Sequence, residues 1–277
     1  MPPAIALLAL LASLMATAMA TAALPPQAAP LPDPFPAAAP SYVVAIDGDI
    51  RWARNPDSPR PPASLTKILS AIVLLEQDWD PQRIITVSTR AASLQGTRLR
   101  LEAGEQLRAG DALTAMIVAS ANDACLALAE AAAGSVEAFV ARLNSRAAEL
   151  GLEGTHYANP CGLPGPGHVT TARDLLRMAD LAMAMPAYQW RARVIAGEIT
   201  TLGGRRIGLR TTNMLLGRAD GVIGVKTGYT RLSGRCLVAR AERQGRRVDV
   251  VLLDAPDRWW TAAALIEEAF HVAAATP

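Results

Sequence analysis

Pro61-Pro62-Ala63-Ser64-Leu65-Thr66-Lys67 runs directly into an apolar stretch that ends near Trp79. The stretch has helical spacing, and the two prolines cannot lie inside a helix, so Ser64 is expected at or near a helix N-terminus. A spacing of i to i+3 puts Ser64 and Lys67 on one helical face, close enough to hydrogen-bond. A serine hydroxyl is a poor nucleophile until a base takes its proton. Lysine can be that base if burial and a neighbouring positive charge lower its pKa. The helix N-terminus would favour negative charge developing near Ser64. Taken alone, Ser-x-x-Lys also describes a helix cap followed by a surface lysine.

Two further motifs lie downstream. Ser120-Ala121-Asn122 falls between two helical segments. Its hydroxyl could pass a proton to a leaving amine and its amide could bind a peptide bond, although Ser and Asn between helices often form a turn and an N-cap. Lys226-Thr227-Gly228 is expected at the end of a short strand, Val222 to Val225. Lys226 and Thr227 there could bind a carboxylate, and Gly228 would let a substrate backbone lie against the strand edge. Of the 27 basic residues, 25 are arginine, and the only lysines are Lys67 and Lys226. Arginine thus meets the ordinary need for positive charge, and lysine differs in being a compact cation that burial can deprotonate. Each motif has a bland explanation, but the ordered set with both lysines inside it does not.

The chain ends read as strands and the middle as helices. Tyr42 to Ile46 and Ile50 to Ala53 flank Asp47-Gly48, a hairpin signal. Gly234 to Arg240 and Arg247 to Leu253 flank Gln244-Gly245 as a second hairpin. Helical patterns cover Ser64 to Trp79, Ala109 to Ala119, Asp123 to Ala133, Val136 to Leu150, Ala172 to Met183 and Thr261 to His271. The expected class is α+β, with one antiparallel sheet assembled from both chain ends around a helical block.

Residues 1–23 hold an uncharged apolar run with Ala18-Met19-Ala20 as a cleavage signal, and read as a signal peptide or an uncleaved anchor. Both readings put the domain outside the cytoplasm, periplasmic or otherwise extracytoplasmic, with membrane contact only through that segment. Residues 24–40 are Pro/Ala-rich and are expected to be an extended linker. The folded domain then spans 41–272 and a tail 273–277. A net charge of +2 gives no electrostatic case for nucleic acid. Cys125, Cys161 and Cys236 show no CxxC spacing, and His156, His168 and His271 are scattered, so neither set reads as a metal site. One disulfide with a free thiol and three buried thiols both fit the cysteine count.

With the three motifs in order, the sequence resembles the D-alanyl-D-alanine carboxypeptidase family of low-molecular-mass penicillin-binding proteins. The resemblance covers nearly all of Ser41 to Ala269. Pro62 to Lys67, Ser120 to Ala124, Asn159-Pro160 with Gly162-Leu163, His168, Thr171 to Asp174, and Gly224 to Thr230 look like successive family segments. It implies a five-stranded antiparallel sheet with helices on its faces and a largely helical subdomain. It also implies Ser64 as nucleophile, Lys67 as general base, and the backbone N–H groups of Ser64 and Tyr229 as oxyanion hole. Ser120, with Lys226, would relay a proton to the departing D-alanine; Asn122 would hold the substrate amide; Thr227 and Lys226 would bind the terminal carboxylate. The implied partners are peptidoglycan stem peptides, with β-lactams as covalent inhibitors, and no metal or organic cofactor is expected.

A class A β-lactamase is the nearest rival. Such enzymes carry Glu-x-x-x-Asn, whereas Thr155 stands four residues before Asn159 and Glu153 is out of register; Ala121 also replaces their usual Asp. Fast β-lactam hydrolysis is therefore not expected. A D,D-endopeptidase shares every motif, and a catalytically idle wall-binding or β-lactam-sensing module is opposed by the intact nucleophile and base. Met214 stands where many relatives have a basic residue, with Arg210 nearby in sequence, and Cys161 has no evident role. The chain ends soon after the domain, without the extra β-rich domain and C-terminal anchor of many relatives, so any membrane attachment is expected to be N-terminal.

Overall fold

The computed structural model describes residues 32–275. The expected signal peptide or anchor and the first part of the expected linker lie outside the described residues. Along the chain, β1 (Ser41–Ile46) and β2 (Asp49–Arg54) form a hairpin, and a 3-10 turn, Ala63–Thr66, leads into α1 (Lys67–Glu76). There follow β3 (Ile84–Thr86), α2 (Thr89–Ala92), β4 (Gln106–Arg108), α3 (Ala109–Val118), α4 (Asn122–Ala133) and α5 (Val136–Glu149). The chain continues through α6 (Ala172–Ala184), α7 (Pro186–Ala192), β5 (Ala196–Thr200) and β6 (Arg206–Arg210). It closes with β7 (Val222–Thr230), β8 (Gly234–Arg243), β9 (Arg246–Leu253) and α8 (Arg258–Ala275).

The central sheet is antiparallel and five-stranded, in the order β2-β1-β9-β8-β7. Its two tight hairpins turn on Asp47-Gly48 (φ 53° and 98°) and Gln244-Gly245 (φ 49° and 77°). Positive φ at both central residues gives a turn whose twist matches paired strands. Every residue of β1 is buried, because helices cover both faces of the sheet. Tyr42, Val44 and Ile46 point into a core shared with Leu265, Ile266 and Ala269 of α8. Val43 and Ala45 point the other way, into a larger core built with α1, α3, α4 and α6. The period-2 alternation of β1 therefore serves two cores at once. Among the described residues no single helix is long and apolar enough to cross a membrane.

Several boundaries differ from the sequence expectation. The linker expected over 24–40 is docked on the domain in its last part. Ala38 and Ala39 are buried, the Phe35 N–H donates to Asp33, and Arg54 and Asn55 donate to the carbonyls of Pro36 and Pro40. Proline rules out helix, but it leaves carbonyls free to accept from the β2 side. The tail expected at 273–277 is helical as far as Ala275, since Ala273 packs in the core and its carbonyl accepts from Arg246. The first helix is divided into the 3-10 turn and α1, and it ends at Glu76 where Gln77 turns extended. Lys226-Thr227-Gly228 lies inside a strand, not at its end, because β7 pairs with β8 from Val222 to Thr230↔Gly234.

Candidate active site

The nucleophile turn is clamped between two segments that leave no room for side chains. A Cβ on Gly162 would stand 1.9 Å from the Ala63 carbonyl oxygen, and one on Gly228 would stand 2.9 Å from the Pro62 oxygen and 3.2 Å from the Ser64 nitrogen. Edge strand β7 and the loop around Asn159 thus both meet the backbone beside Ser64. Ala63 takes the left-handed conformation (φ 50°), uncommon for a residue with a Cβ. The Thr66 hydroxyl donates to Ala63 O at 2.9 Å and lies 2.9 Å from His168 Nε2. His168 Nδ1 accepts from the Ala158 N–H, so Nε2 carries the proton and donates to Thr66. Burial first, with His156 and Lys67 adding to it, holds His168 neutral at a pKa of about 4.

Lys67 is fully buried. Its Nζ lies 3.1 Å from Ser64 Oγ, 2.7 Å from Asn122 Oδ1 and 2.6 Å from the Cys161 carbonyl oxygen. As an ammonium it has three donors for three acceptors. As a neutral amine it donates to Asn122 and Cys161, and its lone pair is left facing the Ser64 hydroxyl. Burial, then the charge on Lys226, pulls its pKa well below the usual lysine value, and Asp123 only partly opposes them. Ser64 is half-buried.

Ser120 also takes a positive φ (59°) just before α4. Asn122 is the first residue of that helix and not a cap; its amide donates to the Gln95 carbonyl while its oxygen faces Lys67. Buried Asp123 accepts from the Leu99 and Leu101 N–H groups and ties the 95–101 loop to α4. Lys226 Nζ donates to Ser120 Oγ at 2.8 Å and to the Thr227 carbonyl at 3.1 Å. Burial, with the Arg258 guanidinium behind it, lowers the Lys226 pKa to about 7.

Two expected side-chain contacts form, Ser64 with Lys67 and Ser120 with Lys226. The bond between Lys67 and Asn122 was not expected, and Gly228 packs on the Ser64 backbone. Tyr229 is exposed at the rim, next to that glycine. Sequence reasoning missed three participants. Thr212 Oγ1 lies 2.5 Å from Thr227 Oγ1, Arg258 donates to the Gly228 and Cys236 carbonyls, and the Cys161 carbonyl holds Lys67. A backbone carbonyl has no residue signature, and Arg258 is one arginine among 25. Met214 is exposed, and Arg210 is an exposed residue of β6. Cys125 and Cys161 form a disulfide and Cys236 is a buried free thiol, which selects one of the two cysteine readings.

A family profile described as D-alanyl-D-alanine carboxypeptidase matches residues 31–257. The D-alanyl-D-alanine carboxypeptidase DacF of Bacillus subtilis is 33% identical over 213 residues, which is 75% of this chain and 54% of that protein. The chain thus spans about half the length of that relative. A D-alanyl-D-alanine endopeptidase of Pseudomonas aeruginosa is 32% identical over 211 residues, 75% of this chain and 68% of that one. Among solved structures, a D-alanyl-D-alanine carboxypeptidase from Mycobacterium tuberculosis superposes with a TM-score of 0.81 at 29% identity, covering 88% of this chain and 95% of that one.

Proposed function

The chain belongs to the D-alanyl-D-alanine carboxypeptidase family, and on that premise we propose that it removes the terminal D-alanine from peptidoglycan stem peptides through a Ser64 acyl-enzyme. The observation that carries this reading is the Lys67 amine, buried 3.1 Å from Ser64 Oγ with acceptors for both of its other N–H bonds. Lys67 takes the Ser64 proton as Oγ attacks the carbonyl between the two D-alanines. The oxyanion is met by the N–H groups of Ser64 and Tyr229. As the C–N bond breaks, Ser120, backed by Lys226, passes a proton to the leaving amine. Asn122 holds the substrate amide, Lys226 and Thr227 receive the terminal carboxylate, and Gly228 gives the substrate backbone its approach to β7. Water then releases the shortened peptide and returns the proton to Ser64. β-Lactams, which mimic D-alanyl-D-alanine, acylate the same serine.

The site of action is extracytoplasmic. The apolar N-terminal segment supports this reading, as does a disulfide, which persists in oxidising compartments. A second reading, cleavage of peptide crosslinks, is supported by the endopeptidase name of the Pseudomonas aeruginosa relative.

The test is intact-mass spectrometry of the full chain with benzylpenicillin, with Ser64→Ala as control. One stable adduct, lost in the mutant, is expected. No adduct with rapid drug loss indicates a β-lactamase, and no adduct without drug loss leaves an idle binding module. Free D-alanine released from a pentapeptide, compared with cleavage of crosslinked dimers, separates the two peptidase readings.

A further inference from the structure

The covalent link between Cys125 and Cys161 spans 36 residues and has no part in the chemistry above. Its two ends nevertheless bear on one atom. Cys125 lies one turn along α4 from Asn122, whose Oδ1 accepts from Lys67 Nζ. Cys161 supplies the other acceptor through its own carbonyl. That carbonyl belongs to a segment with no helix or strand. The segment is organised by Asn159, whose side-chain oxygen accepts from the N–H groups of Cys161, Gly162 and Leu163. Its other tie to α1 is Ser70, which donates to the Pro160 carbonyl at 2.6 Å. The disulfide therefore joins the element carrying one Lys67 acceptor to the loop carrying the other.

We propose that the Cys125–Cys161 disulfide is a positioning element for Lys67. It holds Asn122 Oδ1 and the Cys161 carbonyl at the spacing that takes up both N–H bonds of the neutral amine and aims its lone pair at Ser64. The inference rests on Lys67 acting as the base. Opening the link lets the loop draw back from α4, admits water to the amine, and removes the desolvation that favours its neutral form. The charged and titratable groups facing Lys67 are Lys226 from β7, Asp123 from α4 and His168 from the segment before α6. α5, on another side of α1, reaches it through the Arg146–Glu76 pair at the far end of the helix.

Two lysines in the whole chain make a direct test practical. Full-length protein labelled with 13C at lysine Cε gives two resonances, assigned by Lys226→Arg, and each reports the protonation of its own amine. In Cys125→Ala/Cys161→Ala the Lys67 midpoint is expected to rise by at least about one pH unit while that of Lys226 stays in place. One unit is a tenfold fall in neutral amine below the midpoint. Acylation by benzylpenicillin, measured below the wild-type Lys67 midpoint, should fall about tenfold and recover as the pH is raised. A folded double variant with an unmoved Lys67 midpoint overturns the proposal. So do three alkylatable thiols in the unreduced, denatured wild type. Cys125→Val/Cys161→Ala, which keeps more of the core filled, is the second variant. If neither folds, the bond is a structural requirement and the positioning role is wrong. A wild type that forms no penicillin adduct defeats the peptidase reading instead, and the lysine titration still reads the disulfide's effect on Lys67.

Discussion

Two lysines among 27 basic residues stand out in the sequence, and the structure gives each a reason not to be arginine. Both are buried, both have lowered pKa values, and both lie within hydrogen-bond distance of a motif serine. Lys67→Arg removes the base, since a guanidinium stays protonated in proteins. General-base catalysis contributes on the order of 10²–10⁴ in rate, so benzylpenicillin acylation should fall by about that factor. Lys226→Arg keeps charge and hydrogen bonding and should cost about tenfold or less, because a second donor from a cation of similar reach remains available. Stopped-flow acylation of the two variants checks the division of labour, and equal, complete loss in both would mean the roles are wrongly assigned. At this scale the motif side chains were legible because chemistry restricts residue type. The Cys161 carbonyl was not, because every residue has one. Thr212 was not either, because its hydroxyl finds Thr227 only after β6 and the following loop are folded.

Among the elements, the close approach of the 159–163 loop to the nucleophile turn is the most demanding contact. Gly162 has φ 83° and its absent Cβ leaves room for the Ala63 carbonyl. Gly162→Ala must shift one backbone against the other, and the left-handed conformation alone costs about 1–3 kcal/mol. A misplacement of about 1 Å can lower a rate about a hundredfold, so acylation should fall at least that far in protein that still gives a native circular dichroism spectrum. Unchanged acylation would mean the turn does not depend on this contact. The same loop is held by the disulfide, and a 36-residue separation corresponds to about 4 kcal/mol of loop-closure entropy. Denaturant unfolding of Cys125→Ala/Cys161→Ala should register a loss of that order, and a loss below about 1 kcal/mol would leave the bond no large structural role. The longer helices of the central block were legible within about one turn because they carry extended apolar runs, whereas α2 and α7, of four and seven residues, were not. The two-stranded pairs β3–β4 and β5–β6 were not legible either. Strands of three and five residues, alternating around one buried position or broken by Gly197 and Gly208, carry too little pattern. The second half of β7 was missed because Thr227, Gly228, Tyr229 and Thr230 carry no apolar alternation: Thr227 is buried against Thr212 and Tyr229 is exposed.

On the scale of the molecule, strands from both chain ends close one sheet, and the helical block inserted between them packs on one face of it. There α6 lies against β1 and β9, and α7 and the 3-10 turn lie against edge strand β7. The sheet was legible because both hairpins announce themselves by a Gly turn between apolar runs; its order was not, since pairing of β1 with β9 is a contact over 200 residues. This arrangement brings Lys67 from the helical side and Lys226 from the sheet side into one buried cleft, and that has a consequence for stability. Each amine has a lower pKa folded than unfolded, so at intermediate pH the unfolded chain binds more protons, and stability rises with pH. For Lys226 the window opens at about 7 and closes at its ordinary value of 10.5; Lys67, also lowered by burial, contributes with the same sign. Cys236 works against them at the alkaline end. Burial raises its thiol to about 11, so ionisation of the unfolded thiol, at its ordinary 9.0, favours unfolding. Between pH 7 and 8.5 the lysine effect should therefore dominate. The limiting slope for one proton is about 1.4 kcal/mol per pH unit. Lys226→Met removes one ammonium that must be neutralised on folding, so its unfolding free energy should exceed that of the wild type most at pH 7, with the gap narrowing as the pH rises to 8.5. Urea unfolding at both pH values measures the gap directly. A gap that stays constant over this range would mean Lys226 keeps its charge in the folded cleft, and the carboxylate-binding role would then need no proton uptake.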